Sequence, residues 1–346
     1  MKHQTTRYGE IPFYKIGTFG NTADAFISKK LFLEYKTKYS FPKKGDILIS
    51  ASGTIGRAVI YDGKPAYFQD SNIVWIDNDE TLVKNDFLFY AYSNVKWNTE
   101  HTTILRLYND NFRNTLIPLP SLNEQSAIAN ILSGLDRYLC ALDALILKKE
   151  GVKKSLSFEL LSQRKRLKGF NQAWQRVRLG DIANYLTSNL SVEQITQQGE
   201  IKVYDVNNFI GYTDTTFISD KPYISIVKDG SVGRVRILPP KTNILSTMGA
   251  LIANHRTTTE FLFYLLSNFD FKNFTSGSII PHIYFKDYKE KTIFLPPLNE
   301  QSAIANILSA LDNEIASLKN KKRQFENIKK ALNHDLMSAK IRVLEK

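Results

Sequence analysis

The feature that most constrains this chain is an exact internal repeat: residues 122–133 read Leu-Asn-Glu-Gln-Ser-Ala-Ile-Ala-Asn-Ile-Leu-Ser and return unchanged at 298–309, 176 positions later. Chance does not produce a match of this length, and the period is far too long for a solenoid, so the chain reads as a duplicated, domain-sized module. Weaker echoes keep nearly the same offset. Gly53, Thr54, Ile55, Gly56 and Arg57 answer to Gly230, Ser231, Val232, Gly233 and Arg234, and Phe87, Leu88, Phe89 and Tyr90 answer to Phe261, Leu262, Phe263 and Tyr264. Leu160, Ser162 and Arg166 return as Leu336, Ser338 and Arg342. The repeated segments are identical, whereas the stretches before them share only scattered glycines, aromatics and arginines. One part of the module therefore does the same task twice, and the other does two different tasks on one scaffold. Two copies in one chain imply a pseudo-twofold arrangement, the symmetry of a duplex target or of two identical partners.

Local patterns give each module an α+β character. Residues 46–50 and 223–227 are β-rich runs that end in glycine-punctuated turns and read as strands. Residues 87–93 and 260–267 read as short buried helices. The repeated segments read as long helices. Ser121 with Glu124 forms a capping box, Asn123 and Asn299 are alternative caps, and Pro120, Pro296 and Pro297 stop what precedes them. Leu132, Leu135, Leu139, Leu142 and Ile146 step by three and four, as do Leu308, Leu311, Ile315 and Leu318, with Phe325, Leu332 and Leu336 beyond. These are heptad seams that pack on one another. At 1.5 Å per residue a helix of about 40 residues is a rod of roughly 60 Å, enough to set two domains on separate turns of a duplex.

Composition narrows the partners. The 346 residues carry 46 Lys and Arg against 34 Asp and Glu, a net charge of +12, which favours a polyanion such as nucleic acid. Hydrophobic residues make up 43%, enough for packed cores. The single cysteine, Cys140, is expected at a buried helix position beside Leu139 and Leu142, and it excludes an internal disulfide or a cysteine-based zinc site. No apolar run approaches the roughly 18 to 20 residues of a membrane span, and residues 1–10 are not signal-like, so a cytoplasmic protein with no membrane partner is expected.

The residues 118–133, with their partner from Leu295, the Lys-Gly-Asp-Ile-Leu-Ile-Ser strand from Lys44 with its Gly-Thr-Ile-Gly turn, and Arg178-Leu179-Gly180-Asp181-Ile182-Ala183 opening the second module, resemble the specificity subunit of type I restriction-modification systems. The similarity covers essentially the whole chain. It implies two globular target recognition domains of mixed α/β structure separated by two long antiparallel helices, with target recognition at 1–118, a spacer helix at 119–170, the second recognition domain at 171–294 and the second spacer at 295–346. Each domain would read one half of an asymmetric, interrupted site in double-stranded DNA. Two copies of an adenine methyltransferase subunit would bind the helices, and restriction endonuclease subunits would join that core. S-adenosylmethionine, ATP and magnesium would lie in those partners and no cofactor in this chain. One departure stands out: Leu179 precedes Gly199, Glu200 and Ile201 by about 20 residues, but the similar Gly9, Glu10 and Ile11 begin so early that the first module is expected to lack its opening strand.

Candidate DNA ligands follow from the twinned turns. Ser52, Gly53, Thr54, Gly56 and Arg57, and Gly230, Ser231, Gly233 and Arg234, place small residues in a tight turn after a strand, with a guanidinium able to grip a phosphate or a guanine edge. Thr102 and Thr103 with Arg106, and Ser276, Gly277 and Ser278 with His282, occupy matching positions in polar loops. Basic residues along the helices, among them Lys149, Lys153, Lys319 and Lys322, are candidate phosphate contacts or partner contacts. Asn123, Glu124 and Gln125 with Asn299, Glu300 and Gln301 are the candidate partner-binding residues. Catalytic signals are missing: no glycine-rich cofactor loop, no methyltransferase tetrapeptide, and no metal spacing among His3, His101, His255, His282 and His334. Asp24 with Glu34 and Lys36 faintly resembles a nuclease set, but the second module does not repeat it. A scaffold that merely dimerises through its helices explains the heptads, but not the charge or the divergence of the globular parts. A reader fused into a stand-alone restriction enzyme would need the absent catalytic motifs. Co-purification separates these readings, since a reader brings down a methyltransferase and a scaffold brings down itself.

Overall fold

A computed structural model describes residues 4–68, 72–97 and 106–344. The chain divides into two compact units, residues 1–143 with 320–346 and residues 144–319. Unit 1 runs through β1 (Ile11–Tyr14), β2 (Ala25–Ile27), α1 (Lys29–Lys38), β3 (Ile47–Ser50), β4 (Ala58–Ile60), β5 (Tyr67–Phe68), β6 (Ile73–Ile76), α2 (Asn85–Tyr92) and α3 (Asn109–Arg113) into the long helix α4 (Leu122–Leu161). Its central strand is β3, paired antiparallel with β4 on one side and β6 on the other. All four residues of β3 are buried, because both faces are covered. Alternation sends Ile47 and Ile49 toward Leu88 and Tyr92 of α2, and Leu48 toward Phe19, Tyr61 and Ile73. A second sheet, ordered β2-β1-β5, is covered by α1. That helix starts where Ser28 Oγ accepts the Leu31 N–H at 3.2 Å, and its Phe32 and Tyr35, one turn apart, enter the same cluster as Ile11 and Phe13.

Unit 2 runs through β7 (Gln175–Arg178), β8 (Ala183–Thr187), β9 (Ile201–Tyr204), β10 (Phe209–Thr213), β11 (Tyr223–Val227), β12 (Val235–Leu238), β13 (Thr242–Ile244), β14 (Met248–Ala253), α5 (Thr259–Ser267), β15 (Thr275–Ser276), β16 (His282–Ile283), α6 (Phe285–Tyr288) and β17 (Thr292–Leu295) into α7 (Leu298–Met337). Here β11 takes the place of β3, in a four-stranded sheet ordered β12-β11-β14-β8, with β10-β9-β13 beside it. In both units the repeated helix buries the same residues against the same element. Ile128 and Leu132 share a cluster with Phe87 and Tyr90 of α2, and Ile304 and Leu308 share one with Phe261 and Tyr264 of α5.

The heptad positions lie inward, and the two long helices are antiparallel in each unit. In unit 1 Lys322 reaches Asp143 at 2.7 Å, Lys329 reaches Asp136, and the Tyr138 and Phe325 rings meet at 4.7 Å. In unit 2 Lys319 reaches Glu150 at 2.6 Å, Lys149 reaches Glu314 at 2.8 Å, and Lys153 reaches Asp312 at 2.5 Å. Four of the lysines named as candidate phosphate or partner contacts are therefore paired with carboxylates of the facing helix. Cys140, expected to be buried, is exposed. The seam passes through Leu139 and Leu142, and a residue one step on from Leu139 is turned about 100° away from it.

The modules differ at one edge. β17 pairs antiparallel with β7, which buries Ile293 and Leu295. The corresponding residues 115–119 of unit 1 are not in a strand, and Leu116 and Leu119 are exposed. The β3 sheet likewise has no fourth strand matching β8 among the described residues.

Candidate nucleic-acid interface

The twinned turns close with the same hydrogen bonds. In unit 1 the Gly56 N–H donates to the Ser50 carbonyl at 3.0 Å, and the Ser50 N–H donates to the Arg57 carbonyl at 2.9 Å. In unit 2 the Gly233 N–H donates to the Val227 carbonyl at 2.9 Å, and the Val227 N–H donates to the Arg234 carbonyl at 2.9 Å. Gly53, Gly56, Gly230 and Gly233 all have positive φ, between 68° and 83°. At Gly56 a Cβ would also run into the Trp97 indole, and at Gly233 into the Phe271 ring. Each turn thus uses glycine at its two left-handed positions, and the second glycine lies against an aromatic ring that leaves no room for a side chain.

The loops that carry Arg106 and His282, matched to each other in the sequence but not to the turns, are joined to these turns. In unit 1 the Leu107 N–H donates to the Ala51 carbonyl at 2.8 Å, and Ser52 and Arg106 face one another in an isolated antiparallel bridge. In unit 2 the Ile283 N–H donates to the Lys228 carbonyl at 2.9 Å, and the bridge is between Asp229 and His282. The turn and the opposing residue therefore form one cluster in each unit, on the same backbone frame but with different side chains. Thr102 and Thr103 lie outside the described residues. Ser231, Gly277 and Ser278 belong to the same loop cluster of unit 2, with Gly277 at φ +88° in the β15–β16 connection.

Both turn arginines are partly held by their own unit. Arg57 Nη1 donates to the Phe19 carbonyl at 3.0 Å, and Arg234 Nη2 donates to Asn207 Oδ1 at 2.8 Å. A guanidinium has five donors, so each keeps further N–H groups for a ligand. Sequence reasoning missed Asp229, whose carboxylate meets His282 Nδ1 at 2.7 Å, and Arg236, which binds the Asn207 carbonyl at 2.9 Å and lies 5.1 Å over the Tyr204 ring. The signal for Asp229 was available, since it stands at the repeat offset from Ser52.

The candidate partner-binding set needs correction at four of its six residues. Glu124, Gln125, Glu300 and Gln301 are buried, and their side chains act inside the chain. Gln125 accepts the Lys84 N–H at 2.7 Å and donates to the carbonyls of Leu82 and Pro120. Gln301 accepts from Thr257 Oγ1 and the Thr258 N–H, and donates to the carbonyls of Arg256 and Pro296. Glu124 accepts the N–H groups of Val343 and Leu344, and Glu300 accepts Arg166 at 2.7 Å and the Trp174 indole N–H at 2.9 Å. Buried amides and carboxylates must be satisfied where they sit, so the two glutamines latch the repeated helix to the domain before it, while Glu124 holds the segment after α7 and Glu300 the segment after α4. Asn123 and Asn299 stay exposed, each on a surface stripe with Leu122, Ser126 and Asn130 or with Leu298, Ser302 and Asn306.

A second twinned device escaped the sequence. Tyr90 donates to Asp136 at 2.7 Å, and Lys329 pairs with the same carboxylate; Tyr264 donates to Asp312 at 2.9 Å, and Lys153 pairs with it. Burial first, then the neighbouring aspartate, holds both phenols well above the ordinary tyrosine pKa. The nuclease-like set does not assemble as a metal site: Asp24 pairs with Lys15 at 2.9 Å, and no cluster of three His, Cys, Asp or Glu suited to a metal occurs among the described residues. Among them, too, no helix is long and apolar enough to cross a membrane.

Comparison with known proteins meets this geometry. A model of the type I restriction modification DNA specificity domain matches residues 1–149 and again residues 171–327. The chain belongs to that family. A type I restriction enzyme specificity subunit of Haemophilus influenzae is 64% identical over 133 residues, which cover 38% of this chain and 34% of that protein, so the match spans about a third of the relative's length. The MjaX specificity subunit of Methanocaldococcus jannaschii is 28% identical over 337 residues, covering 86% of this chain and 79% of that one. The crystal structure of a type I S subunit from M. genitalium superposes with a TM-score of 0.63 at 20% identity, covering 97% of this chain and 91% of that one, and shares the fold.

Proposed function

We propose that this chain is the DNA-reading subunit of a type I restriction-modification complex, with each unit reading one half of an asymmetric, interrupted duplex target. The observation that carries the reading is the pair of loop clusters: one backbone frame, built twice, displays Ser52, Gly53, Thr54, Gly56, Arg57 and Arg106 in one unit. In the other it displays Gly230, Ser231, Gly233, Arg234, Gly277, Ser278 and His282. Same frame and different side chains is what two different half-sites require. The net charge of +12 supplies the sequence-independent attraction to phosphates. Methyl transfer and cleavage belong to partners, which bring S-adenosylmethionine, ATP and magnesium. The exposed stripes at Asn123 and Asn299 are identical, and two identical surfaces suit two copies of one methyltransferase subunit. Endonuclease subunits join that core, in a cytoplasmic complex.

The test is a split of specificity within the assembled methyltransferase. Arg57→Ala with Arg106→Ala is expected to relax the methylated motif in one half only, and Arg234→Ala with His282→Ala in the other. Each lost base-edge contact reduces discrimination by about 1 to 3 kcal/mol. Uniform weakening across both halves would show that these residues meet only phosphates, and an unchanged motif would remove them from the interface.

A further inference from the structure

The β15–β16 hairpin of unit 2 ends in an apolar tip that the loop cluster does not use. Ile279 is 92% exposed and Ile280 is 54% exposed, flanked by Gly277, Ser278 and Pro281. Single exposed isoleucines are ordinary, but here two adjacent ones project from a backbone fixed on several sides. Gly277 sits at φ +88°, and a Cβ there would collide with the Ile280 carbonyl oxygen. The Pro281 carbonyl accepts the Gly230 N–H at 2.9 Å, the Ile283 N–H donates to the Lys228 carbonyl, and His282 Nδ1 is hydrogen-bonded to Asp229 Oδ1 at 2.7 Å. The tip is therefore stapled to the turn that carries Arg234. Lys286 lies 5.5 Å from the ring of Tyr284, the residue that follows β16. At the offset of 176 only one of the two isoleucines recurs: Ile279 and Ile280 answer to Thr103 and Ile104, and His282 answers to Arg106. Thr103 and Ile104 lie outside the described residues.

We propose that Ile279 and Ile280 form a wedge that enters a base step of the second half-site, parting two stacked base pairs and bending the duplex. The proposal rests on the DNA-reading function. Apolar side chains do this work because they replace one stacked surface with another while the flanking cations hold the backbone. The step that yields most easily is pyrimidine–purine, so the wedge also selects sequence without a hydrogen bond to a base.

The test uses the full purified chain on relaxed closed-circular plasmid, with topoisomerase I added after binding, so that unstacking is trapped as a change in linking number. Wild type is expected to lower the linking number. Ile279→Ser with Ile280→Ser is expected to lose most of that change while still shifting the plasmid in a gel, with unaltered thermal unfolding. Gly277→Ala, which keeps both isoleucines but disturbs the tip, is expected to lose it too. A wild-type chain that binds without changing the linking number, or a serine variant that changes it equally, overturns the wedge and leaves DNA reading intact. No binding by wild type sinks both. A serine variant that retains unwinding but no longer co-purifies with a methyltransferase would make the tip a protein contact instead.

Discussion

The two buried glutamines offer the sharpest test of how the repeated helix is joined to its domain. In Gln301 all four hydrogen-bonding sites of the amide are used, and the side chain is 0% exposed. Gln301→Leu keeps the volume but strands the Thr258 N–H and the carbonyls of Arg256 and Pro296, at about 1 to 3 kcal/mol for each group that water does not reach. Allowing for relaxation, a loss of about 3 kcal/mol is expected. Gln301→Glu keeps the acceptor but points a carboxylate at two carbonyl oxygens, and is expected to be worse still at neutral pH, improving as the pH falls and the carboxyl takes a proton. Gln125→Leu should behave as its twin in unit 1. The assay is urea unfolding of the full chain, followed by tryptophan fluorescence and circular dichroism. Variants within about 0.5 kcal/mol of wild type, the ordinary range for surface substitutions, would refute the latch, above all if methyltransferase binding disappeared with stability intact.

Further outcomes follow from the same geometry. Tyr90, Tyr264 and Tyr288 are raised above the ordinary tyrosine pKa, and Tyr92 and Tyr223 are pushed up to about 12, in each case chiefly by burial. A raised folded-state value means the stabilisation is complete below about pH 10 and lost as the pH rises toward the folded values, so unfolding midpoints measured from about pH 8 to about pH 11 should fall at the alkaline end. Tyr90→Phe with Tyr264→Phe should flatten that fall, and a decline unchanged in slope would count against the clamp. Gly233→Ala, strained both by φ +80° and by the Phe271 ring, should destabilise unit 2 by about 1 to 3 kcal/mol, whereas Gly151→Ala, in α4 with nothing near its Cβ, should be neutral or stabilising by thermal unfolding. Cys140 should react with a thiol reagent in the native chain at the rate of an exposed cysteine, and protection until unfolding would contradict the exposed placement.

Much of the architecture was legible because duplication made the sequence its own control. The heptad steps at Leu132, Leu142, Leu308 and Ile315 report burial directly, and the runs at 47–50 and 223–227 are strands because a β-rich segment closed by Gly53 or Gly230 has few other solutions. Polar residues were harder. Glu124, Gln125, Glu300 and Gln301 look like surface chemistry in a one-dimensional pattern, and only the three-dimensional path of the chain brings their partners in, from the preceding domain for the glutamines and from the segments after α7 and α4 for the glutamates. The helix lysines misled for the opposite reason, since Lys149, Lys153, Lys319 and Lys322 find carboxylates on a helix more than 150 residues distant in the chain. At the candidate interface, the offset of the repeat is enough to match Arg106 with His282, but not to bring either to its turn. It says nothing of the contact between Asp229 and His282, because a pairing across a bridge depends on backbone register rather than on residue type.

The most direct test of DNA reading by this chain is genome-wide mapping of methylated adenine in cells with its gene intact and with it deleted. One asymmetric, interrupted motif is expected to lose its methylation on deletion, and returning the gene with Arg234→Ala and His282→Ala is expected to restore a motif degenerate in a single half. A methylome that is identical with and without the gene, in cells shown to contain the chain bound to a methyltransferase, would contradict that role.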